Sequence, residues 1–368
     1  LPQLMWLQEH EPEVLRRTRR VYFAKDYLRS RLTGDFCTDS IEAMGSMLFN
    51  DYTGTWDPEL CALAGLSVDM LPEIREPGDI AGCIGRSAAA DTGLREGTPV
   101  LVGTTDTALE VYASGAVSPG CATVKLATAG RICVITDAPV KSRQFFNYRH
   151  VIPGLWYPGT GTRSCAASYK WYRDVFGAAE LRDAEEAGVS AYALLDEAAK
   201  NAPPGSDNLF FHPYLLGEMT PYYDDKLRAS FTGVGMHHTK AHFSRSVMEG
   251  VAYSMRDCLE EVKRMDIAVS EYRMIGGGAK GALWRQILCD VLAVPLTVTV
   301  ENDSSLGSAM LAGVAVGAFS DFRDSVEKCV AVSARMAPIT ENVEIYAQGF
   351  ENYRRIQRAL SSVYHGMF

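Results

Sequence analysis

The chain has 368 residues, 47% of them hydrophobic and 22% charged, which excludes a disordered or fibrous protein and leaves room for two domains. Its 36 Lys and Arg against 45 Asp and Glu give a formal net charge of -9, which argues against nucleic acid as a partner. The nine cysteines are scattered with no CxxC pair, and no apolar run is long enough to span a bilayer, so reduced thiols in a cytoplasmic protein are expected.

In chain order, residues 1 to about 34 read as helices. Pro12 suits the first turn of one, and Tyr27, Leu28 and Leu32 give another an apolar face that ends at Gly34. The chain starts at Leu1 with a segment resembling the middle of a packed helix, so it is expected to be the later part of a longer protein. Thr38-Asp39-Ser40 is a polar knot in which Asp39 is either a helix cap or a sugar contact. A helix follows Trp56-Asp57-Pro58, and Pro72 to Pro99 is loop-rich. Val100-Leu101-Val102 reads as a short buried strand. It leads through Gly103-Thr104-Thr105 to Asp106 and a helical segment. A carboxylate just past a strand's carboxyl end either caps the next helix or faces a ligand.

Ser118-Pro119-Gly120 is a candidate domain boundary. After it, strands over 122–127 and 131–135 form a hairpin whose tip, Thr128-Ala129-Gly130, either cradles a phosphate or is an ordinary turn. Gly159-Thr160-Gly161-Thr162 is a second Gly/Thr loop without the residues a P-loop requires. Thr239 opens a long helix with Phe243, Val247, Val251, Met255, Cys258 and Val262 as its buried stripe. His238 and His242 stand four apart with no third ligand at a suitable spacing and read as structural. A strand over 272–275 then meets Gly276-Gly277-Gly278-Ala279-Lys280, where glycines let backbone approach a ligand ahead of a helix carrying Trp284 and Gln286. This is not the dinucleotide fingerprint. Strand 296–300 precedes a helix from Ser304 to Ala318. Gly307 and its small neighbours imply close packing against another backbone or a nucleotide base. A last helix over about 341–364 braces the end.

Several of these stretches together resemble the FGGY family of carbohydrate kinases, in its xylulokinase-like branch. Leu4-x-Trp6-Leu7-x-Glu9-His10-x-Pro12 resembles the first signature, with Gln3 where Lys is usual. Lys25-Asp26-Tyr27-Leu28-x-x-Arg31-Leu32-Thr33-Gly34 with Thr38-Asp39 resembles the core segment. The run from Ala229-Ser230-Phe231-Thr232-Gly233 to Ser246-Val247-Met248-Glu249 resembles the second signature, and Gly276 to Lys280 with Trp284, Gln286 and Asp290 the adenosine-binding segment.

The resemblance implies an α/β, actin-like ATPase fold of two ribonuclease H-like domains around a cleft. Residues 1–117 would be the later part of an incomplete sugar-binding domain, and 118–368 the ATP-binding domain. It implies Asp106 as catalytic base and Asp39, Thr105 and Thr107 as sugar contacts; the family's metal-associated Asp would lie nearer the N-terminus than this sequence reaches, so no residue here is assigned to metal. Thr128, Gly130, Gly276, Gly277, Gly278, Ala279, Lys280, Trp284, Gln286 and Gly307 would hold ATP, with Mg2+ accompanying it. The implied reaction phosphorylates a ketopentose, D-xylulose first, in a cytoplasmic protein, with a homodimer open. Glycerol, ribulose or gluconate kinases and a non-catalytic binding relative are the alternatives. Thr104, Thr105 and Thr107 stand where many members carry Gly, Gly and Gln, Ala127 and Ala129 replace Gly and Ser, and Met219 replaces an Arg.

Overall fold

The computed structural model describes residues 1–368, and its chain divides into two units. The first comprises Leu1–Val117, Tyr148–Trp156 and Asp303–Val330; the second comprises Ser118–Asn147, Tyr157–Asn302 and Ala331–Phe368. The packing division interrupts the expected 118–368 stretch at 148–156 and 303–330.

The first unit opens with helices α1 (Pro2–His10), α2 (Pro12–Arg17) and α3 (Ala24–Thr33). Gly34 ends α3 in the left-handed conformation, as its type predicts. The expected apolar face of α3 is corrected: Tyr27 and Leu28 are exposed, while Asp26 and Arg29 are buried. The reason is ionic. Arg29 Nη1 donates to Asp26 Oδ1 at 2.8 Å and to the Val102 carbonyl at 2.5 Å, and Arg29 Nε donates to Asp35 Oδ2 at 3.1 Å. Burial opposes ionisation of Asp35, but hydrogen bonds from Arg29, Thr33 and Cys37 hold its carboxyl down at about 2.

Next come β1 (Cys37–Asp39), α4 (Ser40–Gly45), β2 (Phe49–Asn50), β3 (Thr55–Trp56) and α5 (Pro58–Leu63). The stretch expected as loop holds β4 (Glu73–Arg75), β5 (Ile80–Cys83) and α6 (Arg86–Thr92); β6 (Pro99–Leu101) and α7 (Asp106–Ala113) follow. β1 pairs with β4 in parallel, β2 with β3 and β5 with β6 antiparallel. β6 is therefore half of a two-stranded ribbon rather than a fully buried strand; Val102 just beyond it is the buried residue. Leu48, Phe49, Trp56, Cys61 and Leu66 pack a small core.

The second unit carries a six-stranded sheet with order β14-β13-β12-β7-β8-β9. Its strands are β7 (Cys121–Leu126), β8 (Gly130–Val134), β9 (Gly159–Gly161), β12 (Glu271–Ile275), β13 (Leu296–Thr299) and β14 (Val332–Met336). β7, β8 and β9 run as an antiparallel meander, β12 and β13 join β7 in parallel, and β14 closes antiparallel, which is the ribonuclease H-like order. The second Gly/Thr stretch is thus a buried edge strand, not a loop. Helices α8 (Ala166–Phe176), α9 (Ala178–Ala187) and α10 (Ala191–Ala199) and the pair β10 (Phe210–His212) and β11 (Ser230–Thr232) precede α11 (Lys240–Arg264).

The predicted α11 stripe from Val247 to Val262 is buried, and so are Arg245, Glu249 and Asp257 on its other faces. Helices α8, α10 and α12 (Ala282–Leu292) and strands β8 to β10 surround it, so its polar residues need partners. Arg245 Nε donates to Glu249 Oε1 at 2.8 Å, and that oxygen also accepts from Tyr346 on the terminal helix. Between β13 and β14 the chain returns to the first unit as α13 (Ser304–Ala315) and α14 (Phe322–Cys329), and α15 (Thr340–Met367) ends it. No helix is long and apolar enough to cross a membrane.

Two predictions follow from this packing. A Cβ on Gly307 would stand 2.2 Å from the Leu109 carbonyl oxygen of α7. Gly307→Ala should therefore destabilise the first unit by at least about 2 kcal/mol, where an exposed helical Gly→Ala change would stabilise; urea unfolding measures it. His212 is buried in β10, stacked on Tyr353 at 4.3 Å with Nε2 donating to the Tyr353 carbonyl, and burial pushes its pKa down to about 4. Its fold therefore favours neutral imidazole, and that stability is lost as pH falls from 6.5 towards 4, by up to about 3 kcal/mol. His212→Gln should flatten the stability profile over that interval.

Candidate active site

In the first unit β6 runs out at Leu101, and Gly103, with φ +69°, turns the chain into Thr104, Thr105 and Asp106. Thr105 is the N-cap of α7, its hydroxyl accepting from the Ala108 N–H at 3.4 Å. Asp106 is the first helical residue and is exposed. Its Oδ1 accepts from the Thr107 N–H at 2.7 Å, with the Thr107 hydroxyl 3.4 Å away. The structure thus brings Thr105, Asp106 and Thr107 together at the positive end of a helix, where a carboxylate is stabilised. Asp106 makes no ion pair and is not the cap; Thr105 is.

Asp39 is placed differently. It is fully buried, and as N-cap of α4 its Oδ1 accepts from the Ile41 and Glu42 N–H groups, both at 3.0 Å. The same oxygen accepts from Thr104 Oγ1 at 2.7 Å, and Lys25 Nζ lies 2.8 Å from Oδ2. A side chain with no exposed surface is not open to a sugar, so the contact expected of Asp39 is corrected to a tether. It fixes α4 to the loop that carries Asp106. Thr104 and Lys25 are the functional neighbours that sequence reasoning passed over. The Lys-Asp-Tyr segment that held Lys25 was visible as a motif, but nothing in it gave the side chain's target.

In the second unit Lys125 of β7 pairs with Ile275 of β12, so the hairpin tip and the Gly276–Lys280 turn leave neighbouring parallel strands at the same edge. Thr128 is exposed at the tip. The Thr128 carbonyl accepts from the Cys165 N–H at 2.9 Å and the Ala127 carbonyl from the Ala166 N–H at 2.8 Å, which ties the tip to the start of α8. Gly130 is a packing glycine: a Cβ there would lie 2.4 Å from Met255 Sδ, and its N–H is committed to Thr162 Oγ1 at 3.2 Å. Gly276 has φ +93°, and a Cβ there would meet the Leu126 carbonyl oxygen at 2.5 Å. Gly278 lies against the Leu126 side chain and Ala279 is buried, while Gly277 is open and Lys280 exposed. Thr128, Gly277 and Lys280 are therefore the accessible members of the set.

Three expected nucleotide contacts stand elsewhere. Trp284 is buried with Nε1 donating to the Met248 carbonyl at 3.1 Å and its ring against Tyr169. Gln286 spends its amide on Asp290 Oδ1 at 2.7 Å and the Ala337 carbonyl at 3.1 Å. Gly307 belongs to the first unit, where its small-residue helix faces the backbone of α7 rather than a base.

Glu218 was also missed. Burial pushes its pKa up to about 7, and its Oε1 accepts from the Arg163 N–H at 2.8 Å and its Oε2 from Ser254 Oγ at 3.0 Å, steadying the loop ahead of α8. His238 and His242 each accept a backbone N–H at Nδ1, from Gly235 and Thr239 respectively. That places the remaining ring proton on Nε2 and leaves no lone pair for a metal there.

Comparison with known proteins follows these two surfaces. Residues 1–112 match the model of the FGGY family of carbohydrate kinases, N-terminal domain, and residues 128–316 that of its C-terminal domain. A xylulose kinase of Bacillus subtilis is 30% identical over 97% of this chain and 70% of its own length. An autoinducer-2 kinase of Escherichia coli K12 is 31% identical over 100% of this chain and 70% of its own. Among solved structures, xylulose kinase from Rhodospirillum rubrum superposes with a TM-score of 0.87 at 27% identity, covering 99% of this chain and 72% of that one. Gluconate kinase from Lactobacillus acidophilus gives the same TM-score at 26% identity, covering 100% and 73%. With both family models matched in order over most of its length, the chain belongs to the FGGY family of carbohydrate kinases.

Proposed function

We propose that the protein transfers the γ-phosphoryl group of ATP to a hydroxyl of a ketopentose, D-xylulose in the first instance. The observation that carries this reading is an exposed Asp106 at a helix start, tethered through Thr104 to a buried carboxylate, in a carbohydrate kinase chain. The acceptor oxygen attacks the γ-phosphorus as Asp106 takes its proton, the bond to the bridging oxygen breaks, and ADP leaves. Phosphoryl transfer asks for orientation and mild basicity, which a positioned carboxylate supplies. Thr105 and Thr107 would flank the acceptor.

Thr128, Gly277 and Lys280 would meet the nucleotide, with Gly276 allowing the turn to lie on the end of β7. The chain holds no group of three or more acidic, His or Cys side chains suited to caging a metal. Mg2+ would accompany the nucleotide phosphates, as is usual for that ion, and would supply charge neutralisation there. A cytoplasmic location is part of the same proposal. The autoinducer-2 kinase relative, 31% identical against 30% for the xylulose kinase, makes that acceptor the second reading.

Asp106→Asn should lower kcat by at least about a thousandfold while ATP binding stays within twofold of wild type; retained turnover in a coupled ADP-release assay across a panel of sugars would remove the assignment. Gly276→Ala should raise the KM for ATP about tenfold or more by pushing the turn off the Leu126 carbonyl, with the KM for sugar unchanged.

A further inference from the structure

α4 is held to the Asp106 loop by the Asp39–Thr104 bond, and this places one more side chain on the same wall. Glu42 follows Asp39 by three residues, and its own N–H is one of the donors Asp39 accepts. Its carboxylate is half-buried, yet it makes no hydrogen bond and no ion pair within the molecule. Its oxygens are not sealed from solvent, so they stay open to a ligand's hydroxyls. Burial raises its pKa above the ordinary range; Lys25 opposes the shift, and the charges of Asp39, Asp26 and Asp106 add to it. Asp39 Oδ1 accepts from both the Glu42 N–H and Thr104 Oγ1, so Glu42 and the loop that carries Asp106 share one anchor. Lys25 is already engaged by Asp26 and Asp39, at 2.6 and 2.8 Å. Asp39 is sealed, so Glu42 is the carboxylate beside Asp106 whose oxygens remain free to accept.

We infer that Glu42 is a substrate-binding and specificity residue, accepting hydrogen bonds from hydroxyls of an uncharged polyol held at Asp106 and repelling acceptors that carry a carboxylate. The inference rests on the kinase reading and narrows its acceptor class. A hydroxyl offers a donor to each free oxygen, so a bound polyol supplies the partner that the fold withholds. An aldonate such as gluconate would bring a third negative group next to Glu42 and Asp106, with the nearest ammonium already shared between two aspartates.

The test uses the full chain and the Glu42→Gln variant, which keeps shape and removes charge. Kinetics with D-xylulose and with gluconate are measured for both, alongside calorimetric titration of D-xylulose without nucleotide and thermal unfolding. The expected result is a rise of about tenfold in the KM and Kd for D-xylulose with kcat within threefold. The preference for D-xylulose over gluconate should narrow at least tenfold, and the unfolding temperature should hold. Unchanged KM, Kd and preference, including binding undetectable in both proteins, overturn the inference, as does an effect confined to stability. If wild type turns over sugar and the variant matches it, Glu42 alone is dismissed. If wild type phosphorylates no acceptor, the kinase reading fails, and the calorimetric comparison still decides Glu42.

Discussion

The position of Asp106 depends on a carboxylate that never meets solvent. Asp39 gathers two N–H groups of α4, the hydroxyl of Thr104 and the ammonium of Lys25 around its two oxygens. Arg29 extends the same ionic framework from Asp26 and Asp35 to the carbonyl of Val102, at the exit of β6. Three short secondary structures and one loop are thus joined by directed bonds where the two-stranded pairs of this unit offer little sheet. Pairs of this kind add little net stability beside apolar packing, but removing one partner strands the other, so the geometry they impose is hard to relax.

The second unit solves the same positioning problem with hydrocarbon. β7 and β12 lie side by side in register, their inward residues packed on α11, and the hairpin and turn at their ends inherit that rigidity. Backbone bonds from the start of α8 to Ala127 and Thr128 fix the tip without committing the Thr128 side chain. Glycine at 276 lets one turn rest on the other's carbonyl.

Periodicity made the long elements legible. The α11 stripe, the Trp284 helix, the β7–β8 hairpin and the capping Gly34 all follow from spacing and residue type. It misjudged elements whose stability is not apolar. On α3 the leucine and tyrosine face outward because the partners of Arg29 lie inward, and α6, β4 and β5 were hidden in a stretch with little hydrophobic rhythm. At the candidate site, the Gly/Thr turn ahead of Asp106 is a local pattern that left cap and ligand contact both open, and only the family resemblance pointed to a catalytic base. The sealing of Asp39 was not visible, since it requires Thr104, 65 residues away. Trp284 and Gln286 misled for a related reason: a motif marks a segment, while the direction of each side chain is set by what the rest of the chain packs against it.

The path of the chain between its units has a consequence for synthesis. Residues 303–330 complete the first unit by laying α13 on α7, yet they are encoded after most of the second. On the ribosome, the earlier portion must wait with the buried face of α7 uncovered, including Leu109 and Tyr112, until the later portion has emerged. The two halves cannot mature one after the other like beads. Their completion is interleaved, and any break in the chain before residue 330 leaves both of them unfinished.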